Sequence, residues 1–333
     1  MAKGMHSNFS QLLLFLFSFL TLSHQTPAGG LPYTVGNVTL PNGIQMFYRE
    51  AGPINGTTLL LLHGFPSSSH QFRNFIPILA AHGYHVVAPD YPGFGFTVVP
   101  EALNYTYSFA ALTQSVAAFL DAKNITAFVP YMHDYGGPIG FRLALQRPQS
   151  ILAFISQNAN AYIEGFGATF WPPIFALWNA TTPAQFQAAA APINDTALTL
   201  AGIKSQYTTG SARPELIEPE SYWLDYALID EQAGNRDVQI ALLTDYRSNV
   251  PLYPAFQAYF RRAQPNLLAA WGKNDIIFVP PGAEAFKRDI PNAEVVLLDA
   301  GHFLLETNLA QMAGLVLDFL KIVPLASHVP GGI

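Results

Sequence analysis

Ala127-Phe128-Val129-Pro130-Tyr131-Met132-His133-Asp134-Tyr135-Gly136-Gly137 decides how this chain is read. An apolar, strand-like run ends in an acid, and two glycines then open a helix-like segment. This is the outline of a nucleophile elbow, the sharp strand-to-helix turn that lifts one side chain above a parallel sheet. The usual occupant is serine within G-x-S-x-G, a pattern that occurs nowhere in these 333 residues. Here the lifted residue is Asp134. A carboxylate in that position implies an alkyl ester on the protein, not serine acyl transfer.

Outward from the elbow, strand-like and helix-like runs alternate. Ile44 to Arg49, Thr57 to Leu62, Tyr84 to Ala88 and Ile151 to Ser156 read as strands. His70 to Ala81, Phe109 to Ala122 and Pro138 to Gln146 read as helices. Continuous apolar strands joined by helices predict a mostly parallel sheet covered on both faces. From Tyr162 to Gln264 the alternation stops, and the stretch is rich in aromatics, proline and alanine, with helices expected at Gln185 to Ala190 and Glu231 to Leu243. It resumes with a strand Leu267 to Trp271, a helix around Gly282 to Arg288, a strand Glu294 to Leu298 and a helix Leu309 to Lys321. The expected organisation is an α/β core over residues 31–161 and 265–326, interrupted by a helical cap over 162–264.

Half of the residues are hydrophobic, 11% are charged and the net charge is -6. That composition fits a large buried core and excludes the basic face that nucleic acid requires. The N-terminus carries Lys3 and His6 ahead of Leu12–Leu22, an apolar block shorter than the roughly 20 residues of a membrane span and suited to a signal peptide over 1–23, cut after Ser23. Thr26 and Ala28 offer a later cut, and an uncleaved anchor is the competing reading. Six N-x-S/T sequons follow, at Asn37, Asn55, Asn104, Asn124, Asn179 and Asn194. Together with the leader they predict a secreted or lumenal glycoprotein without a stable membrane span after cleavage. The absence of cysteine is compatible with this, since a core of this size needs no disulfides.

Three further segments fit the elbow. His63-Gly64-Phe65-Pro66 follows the apolar strand Leu59–Leu62, where ligand sites of parallel sheets form. The backbone N–H groups of Phe65 and Tyr135 are placed to make an oxyanion hole. Asp275 in Trp271-Gly272-Lys273-Asn274-Asp275 and His302 in Gly301-His302 each follow a late strand. The order Asp134, Asp275, His302 is nucleophile, acid, base.

These segments, with Asp90-Tyr91-Pro92-Gly93-Phe94-Gly95, resemble the α/β-hydrolase fold, in the branch of epoxide hydrolases and haloalkane dehalogenases. The resemblance spans essentially the whole chain after the leader. It implies an Asp134 ester, hydrolysed by a water that His302 activates and Asp275 supports, with a hydrophobic small molecule and water as partners and no cofactor. Dehalogenases of this branch often supply an asparagine in the HGxP loop and a tryptophan after the nucleophile; this chain has Phe65 and Tyr135. Epoxide hydrolases use cap tyrosines. Tyr246 resembles the second of these and is the candidate proton donor, with Tyr162 and Tyr207 the candidates for the first. Phe166, Phe170, Trp171, Trp178 and His63 are candidate pocket residues. Met132 departs from the small residue that the family commonly has two positions before the nucleophile.

Each residue also has a structural alternative. Asp134 and Asp275 suit helix caps or turns, and His302 a surface position. His63 and His133 suit packing and loop-holding roles, and the cap aromatics suit ordinary core. No metal-ligand spacing occurs. Carbon–halide hydrolysis and a catalytically silent binding protein are the competing functions.

Overall fold

The computed structural model describes residues 32–230 and 235–323. The expected leader, with its cut after Ser23, lies outside the described residues. Eight strands form one sheet: β1 Thr34–Thr39, β2 Gln45–Ala51, β3 Thr58–Leu62, β4 His85–Pro89, β5 Val129–His133, β6 Phe154–Gln157, β7 Leu267–Gly272 and β8 Glu294–Leu298. Their spatial order is β1-β2-β4-β3-β5-β6-β7-β8. β2 runs antiparallel to β1 and β4, and every other pair is parallel. The carboxyl ends of β3, β5, β6, β7 and β8 therefore share one edge, where loops collect above the sheet.

Helices cover both faces. α1 Phe75–Ala81 and α12 Leu309–Leu320 lie on one; α2 Phe109–Ala122, α3 Gly136–Gln146 and α9 Tyr253–Ala263 lie on the other. Strand periodicity divides the side chains between the two cores. Leu59 and Leu61 join Phe75 and Val316, whereas Leu60, Leu62 and Met132 join Phe109 and Phe141. Each of those four leucines is at most 1% exposed, and full burial of such a side chain is worth roughly 1.5–3 kcal/mol. An antiparallel sheet with one wet face would have shown polar alternation instead.

Between β6 and β7 lie α4 Trp171–Trp178, α5 Pro183–Thr196, α6 Leu200–Thr208, α7 Pro219–Asp230, α8 Asn235–Asp245 and α9. Thr182 caps α5 through a capping box with Gln185, which starts the helix two residues before the expected Gln185. After β7, the segment expected as one helix from Gly282 to Arg288 forms two short ones, α10 Pro281–Glu284 and α11 Phe286–Asp289.

The single helix expected over His70 to Ala81 is also split. A 3-10 turn at Ser69–Phe72 precedes α1, and Pro77 then falls in the first turn of α1. A helix begun at His70 would have put that proline in its interior, where it lacks an N–H. β6 starts at Phe154 rather than Ile151, which makes only an isolated bridge to Phe128. β1 adds to the expected strands. Its sequence Thr-Val-Gly-Asn-Val-Thr is largely exposed at the sheet edge and has no apolar run to signal it.

Candidate active site

The turn after β5 has the conformation that the sequence predicts. Asp134 has φ +51, a left-handed backbone rare for a residue with a side chain. Gly136 follows because a Cβ there would lie 2.2 Å from the Leu62 carbonyl oxygen. The loop after β3 crosses the same turn, and a Cβ on Gly64 would lie 2.2 Å from Asp134 Cβ. With nothing between them, the Phe65 amide donates to Asp134 Oδ1 at 2.7 Å.

Two other strand ends supply the partners. His302, after β8, shares a hydrogen bond at Nδ1 with Asp275 Oδ2, 2.7 Å away, after β7. Its Nε2 lies 3.8 Å from Asp134 Oδ2 and is buried without a hydrogen-bond partner. Asp275 is itself held: Asn158 Nδ2 donates to Oδ2 at 2.7 Å, and the Ile277 amide to Oδ1 at 2.7 Å. Three groups from three loops thus meet: an acid, an imidazole and an orienting carboxylate.

Burial sets their charges. It raises the Asp134 carboxyl from its ordinary range to about 6, against the pull of His302 and the Phe65 and Tyr135 amides. Burial alone would lower His302, but the Asp275 charge and hydrogen bond outweigh it and the net direction is upward. His302 is therefore built to accept a proton.

The neighbouring histidines differ. Burial lowers His63 to about 3, so its ring is neutral. It stacks on Tyr91 at 4.0 Å and its Nε2 accepts from the Tyr91 amide at 3.2 Å. His133 is also held neutral, lowered well below its ordinary value by burial and then by the His302 charge. Its Nε2 meets the His302 carbonyl at 3.1 Å, where Gln157 Nε2 donates at 3.3 Å. Both histidines fix loops, the structural alternative read for them in the sequence.

A cavity opens beside His302 and Asp275 and encloses about 990 Å³, counting its mouth. Side chains from α4, α5 and α6 form part of its wall, with Phe170 and Leu243 adding apolar surface. Of the five expected pocket residues, Phe170 lines it. His63 lies under the Tyr91 loop instead. Phe166, Trp171 and Trp178 are taken up in an aromatic cluster around Tyr246, with Trp171 at 5.0 Å and Trp178 stacked at 6.2 Å. Ring stacking within the insert claims them before the cavity can.

Tyr246 is fully buried, is not among the residues that line the cavity, and has the Tyr253 hydroxyl as its polar neighbour. Burial raises the Tyr246 hydroxyl far above its ordinary value, and charges at Tyr253 and Asp134 add to this. The ring of Tyr135 stands 5.8 Å away, with a buried, unpartnered hydroxyl. Tyr162 and Tyr207 are engaged elsewhere. Tyr162 donates to Asp289 at 2.9 Å, and Tyr207 donates to Asp225.

Sequence reasoning missed Asn158. It follows β6 with φ +47, and its Oδ1 also accepts from the Gly272 amide at 2.9 Å. A polar residue at the end of an apolar strand was the available signal. Five of the six sequon asparagines are exposed, and Asn194 is half-buried. No helix among the described residues is long and apolar enough to cross a membrane.

An acid lifted on a left-handed strand-to-helix turn, within reach of an acid-backed histidine, defines a hydrolase of the α/β class. The chain belongs to the alpha/beta hydrolase fold family, whose model matches residues 57–309. It is 44% identical to an uncharacterized hydrolase of Saccharomyces cerevisiae over 83% of this chain and 93% of that one. It is 43% identical to a haloalkane dehalogenase of Psychrobacter cryohalolentis over 34% of this chain and 38% of the relative. It is 25% identical to epoxide hydrolase 2 of Siraitia grosvenorii over 84% of this chain and 96% of the relative. The protein is a hydrolase related to both branches.

Proposed function

We propose that this hydrolase opens an epoxide on a hydrophobic small molecule through an ester on Asp134. A carboxylate oxygen of Asp134 attacks an epoxide carbon, and the carbon–oxygen bond breaks. The released oxygen takes a proton from the Tyr246 hydroxyl, giving a hydroxyalkyl ester and a tyrosinate. His302 Nε2 then takes a proton from water, whose oxygen adds to the ester carbonyl carbon. The Phe65 and Tyr135 N–H groups hold the oxyanion until it collapses; the departing alkoxide takes the imidazolium proton to give the diol, and the Asp134 carboxylic acid left behind gives its proton to the tyrosinate. Asp275 stabilises the imidazolium in between.

The observation that carries this reading is the unpartnered His302 Nε2, 3.8 Å from the Asp134 carboxylate. It leaves one nitrogen directed at the space where a water must be activated. Halide release is less well supported. A halide needs N–H donors, yet the Trp171 and Trp178 indoles donate at 2.8 Å to the Ile277 and Leu243 carbonyls. The Trp271 indole donates to Phe278 O at 2.6 Å, and Trp223 is 52% exposed.

The test is His302→Gln, which should form the ester without hydrolysing it. After incubation with epoxide and haloalkane panels, intact-mass and peptide analysis should place an epoxide-derived adduct on Asp134. An adduct on another residue would overturn the mechanism, and an adduct from haloalkanes alone would select the other leaving group. No adduct with any compound, and no turnover by the wild type, would favour a ligand-binding protein. Tyr246→Phe should slow epoxide opening far more than halide displacement.

We also infer entry into the secretory route. The leader reading and the exposure of Asn37, Asn55, Asn104, Asn124 and Asn179 support it. A mobility shift on endoglycosidase treatment of protein from a eukaryotic host tests it; protein retained in the cytosol without glycan would oppose it.

A further inference from the structure

Two residues combine the same pair of properties: they line the cavity and carry buried polar atoms with no partner. Among the described residues these are His302 and Gln206. The His302 nitrogen is accounted for by the water of the reaction proposed above. Gln206 takes no part in that reaction. It stands on α6, is 7% exposed, and neither its Nε2 nor its Oε1 makes a hydrogen bond. A buried carboxamide left in this state costs free energy on both its donor and its acceptor side. The cavity is the open space beside it.

We infer that Gln206 is a specificity determinant that recognises a neutral polar group on the substrate, one that both accepts and donates a hydrogen bond. A hydroxyl or a primary carboxamide has this chemistry. A carboxylate anion does not, because it cannot donate, and among the described residues no lysine or arginine lines the cavity to balance its charge. The acidic side chain in the wall is Asp275, whose oxygens are already bonded. Much of the remaining wall, including Phe170, Ile174, Ile193 and Leu243, is apolar. The substrate class that follows is a neutral, amphipathic molecule. Its electrophilic carbon lies at the end where Phe65 and His302 line the cavity, an apolar stem follows, and a hydroxyl or amide reaches Gln206.

This inference rests on the same site as the proposed function but not on its chemistry, so binding of unreactive probes tests it separately. Hexanamide, 2-heptanone and hexanoate share a stem and differ at the polar end. Calorimetric titration of the full chain should find hexanamide bound roughly ten- to a hundredfold tighter than 2-heptanone, with hexanoate weakest. Gln206→Leu should remove the preference for the amide while leaving 2-heptanone nearly unchanged; Gln206→Met serves if the leucine variant fails to fold. Equal binding of hexanamide and 2-heptanone by the wild type would overturn the inference, with the carboxamide then satisfied by water alone. So would a preference that survives in both variants, which would place the probe's amide at another site. Should hexanamide behave as expected while epoxides leave no adduct on Asp134, the specificity assignment stands and the epoxide reaction falls. Adduct formation without an amide preference would uphold the epoxide reaction and overturn the assignment of Gln206.

Discussion

Met132 Sδ packs against Gly140 so closely that a Cβ on the glycine would lie 2.4 Å from the sulfur. The large residue two positions before the nucleophile is thus accommodated one turn into α3, rather than by distorting the elbow. A void in the helix surface receives the thioether, and Asp134 keeps its left-handed turn. Gly140→Ala should therefore overpack this contact and destabilise the fold by roughly 1–3 kcal/mol. Adding Met132→Ala to that variant should recover part of the loss, with a coupling of about 1 kcal/mol or more. Urea unfolding of the four proteins in the cycle measures it, and strictly additive effects would contradict the packing account.

The Asp134 carboxyl gives a prediction with a definite sign. Burial, its largest cause, raises it from an ordinary 3.8 to about 6. Folding therefore favours the protonated form, and this contribution is present below about pH 4 and lost as pH climbs through 6. Asp134→Asn, neutral throughout, should match the wild type near pH 4 and exceed it in stability at pH 8, by roughly 3 kcal/mol at most. Attack needs the carboxylate, so adduct formation in the His302→Gln background should decline as pH falls through about 6. Thermal melts and single-turnover mass analysis across pH 4–8 read the two effects. Equal melting of the two proteins at pH 8 would show that the folded protein does not penalise the Asp134 charge.

Gly64 and Gly314 form a matched pair. A Cβ at Gly64 would strike Asp134 Cβ at 2.2 Å, whereas one at Gly314, on the open side of α12, meets nothing within 4 Å. Gly64→Ala must push the loop after β3 away from the nucleophile and with it the Phe65 amide. An oxyanion-hole donor lost in this way costs roughly 100- to 1000-fold in rate. Gly314→Ala should leave activity unchanged and stabilise α12 by about 0.5–1 kcal/mol. Assays and melts of the two variants side by side check this; full activity in Gly64→Ala would show that the loop has slack.

The legible parts of this molecule are those governed by local pattern. The run ending at Asp134, the apolar Leu59–Leu62 and the acid and histidine after late strands could be read because strand ends of a parallel sheet bear the site. Met132 reads as a misfit in the sequence because its partner, Gly140, sits on the following helix, where spacing alone shows no contact. Trp171 and Trp178 have the right composition for a pocket wall, but indole N–H groups bonded to distant carbonyls are tertiary facts. Gln206 lies in a stretch with little apolar periodicity, and its lack of a partner is visible only once every neighbour is in place.

Asn158 joins two parts of the site that no sequence motif links. Its Nδ2 donates to Asp275 and its Oδ1 accepts from the amide of Gly272, so one side chain ties the end of β6 to the acid-bearing loop after β7. Its φ of +47 complicates any ordinary substitution, because a side chain there strains the backbone. Asn158→Gly avoids that strain and removes those two hydrogen bonds together with a longer one, 3.4 Å, from Nδ2 to the Gly272 carbonyl. Asp275 would keep the Ile277 amide and His302 but lose the donor that fixes its second oxygen. The consequence should fall on the step in which His302 takes a proton from water. In the proposed reaction, adduct formation should keep its rate, while hydrolysis of the ester slows by roughly ten- to a hundredfold, as for supporting contacts behind a reacting group. Rapid-quench mass analysis would then show the Asp134 ester accumulating during turnover in Asn158→Gly. Equal slowing of both steps would mean that Asn158 holds the fold of this edge rather than the orientation of Asp275.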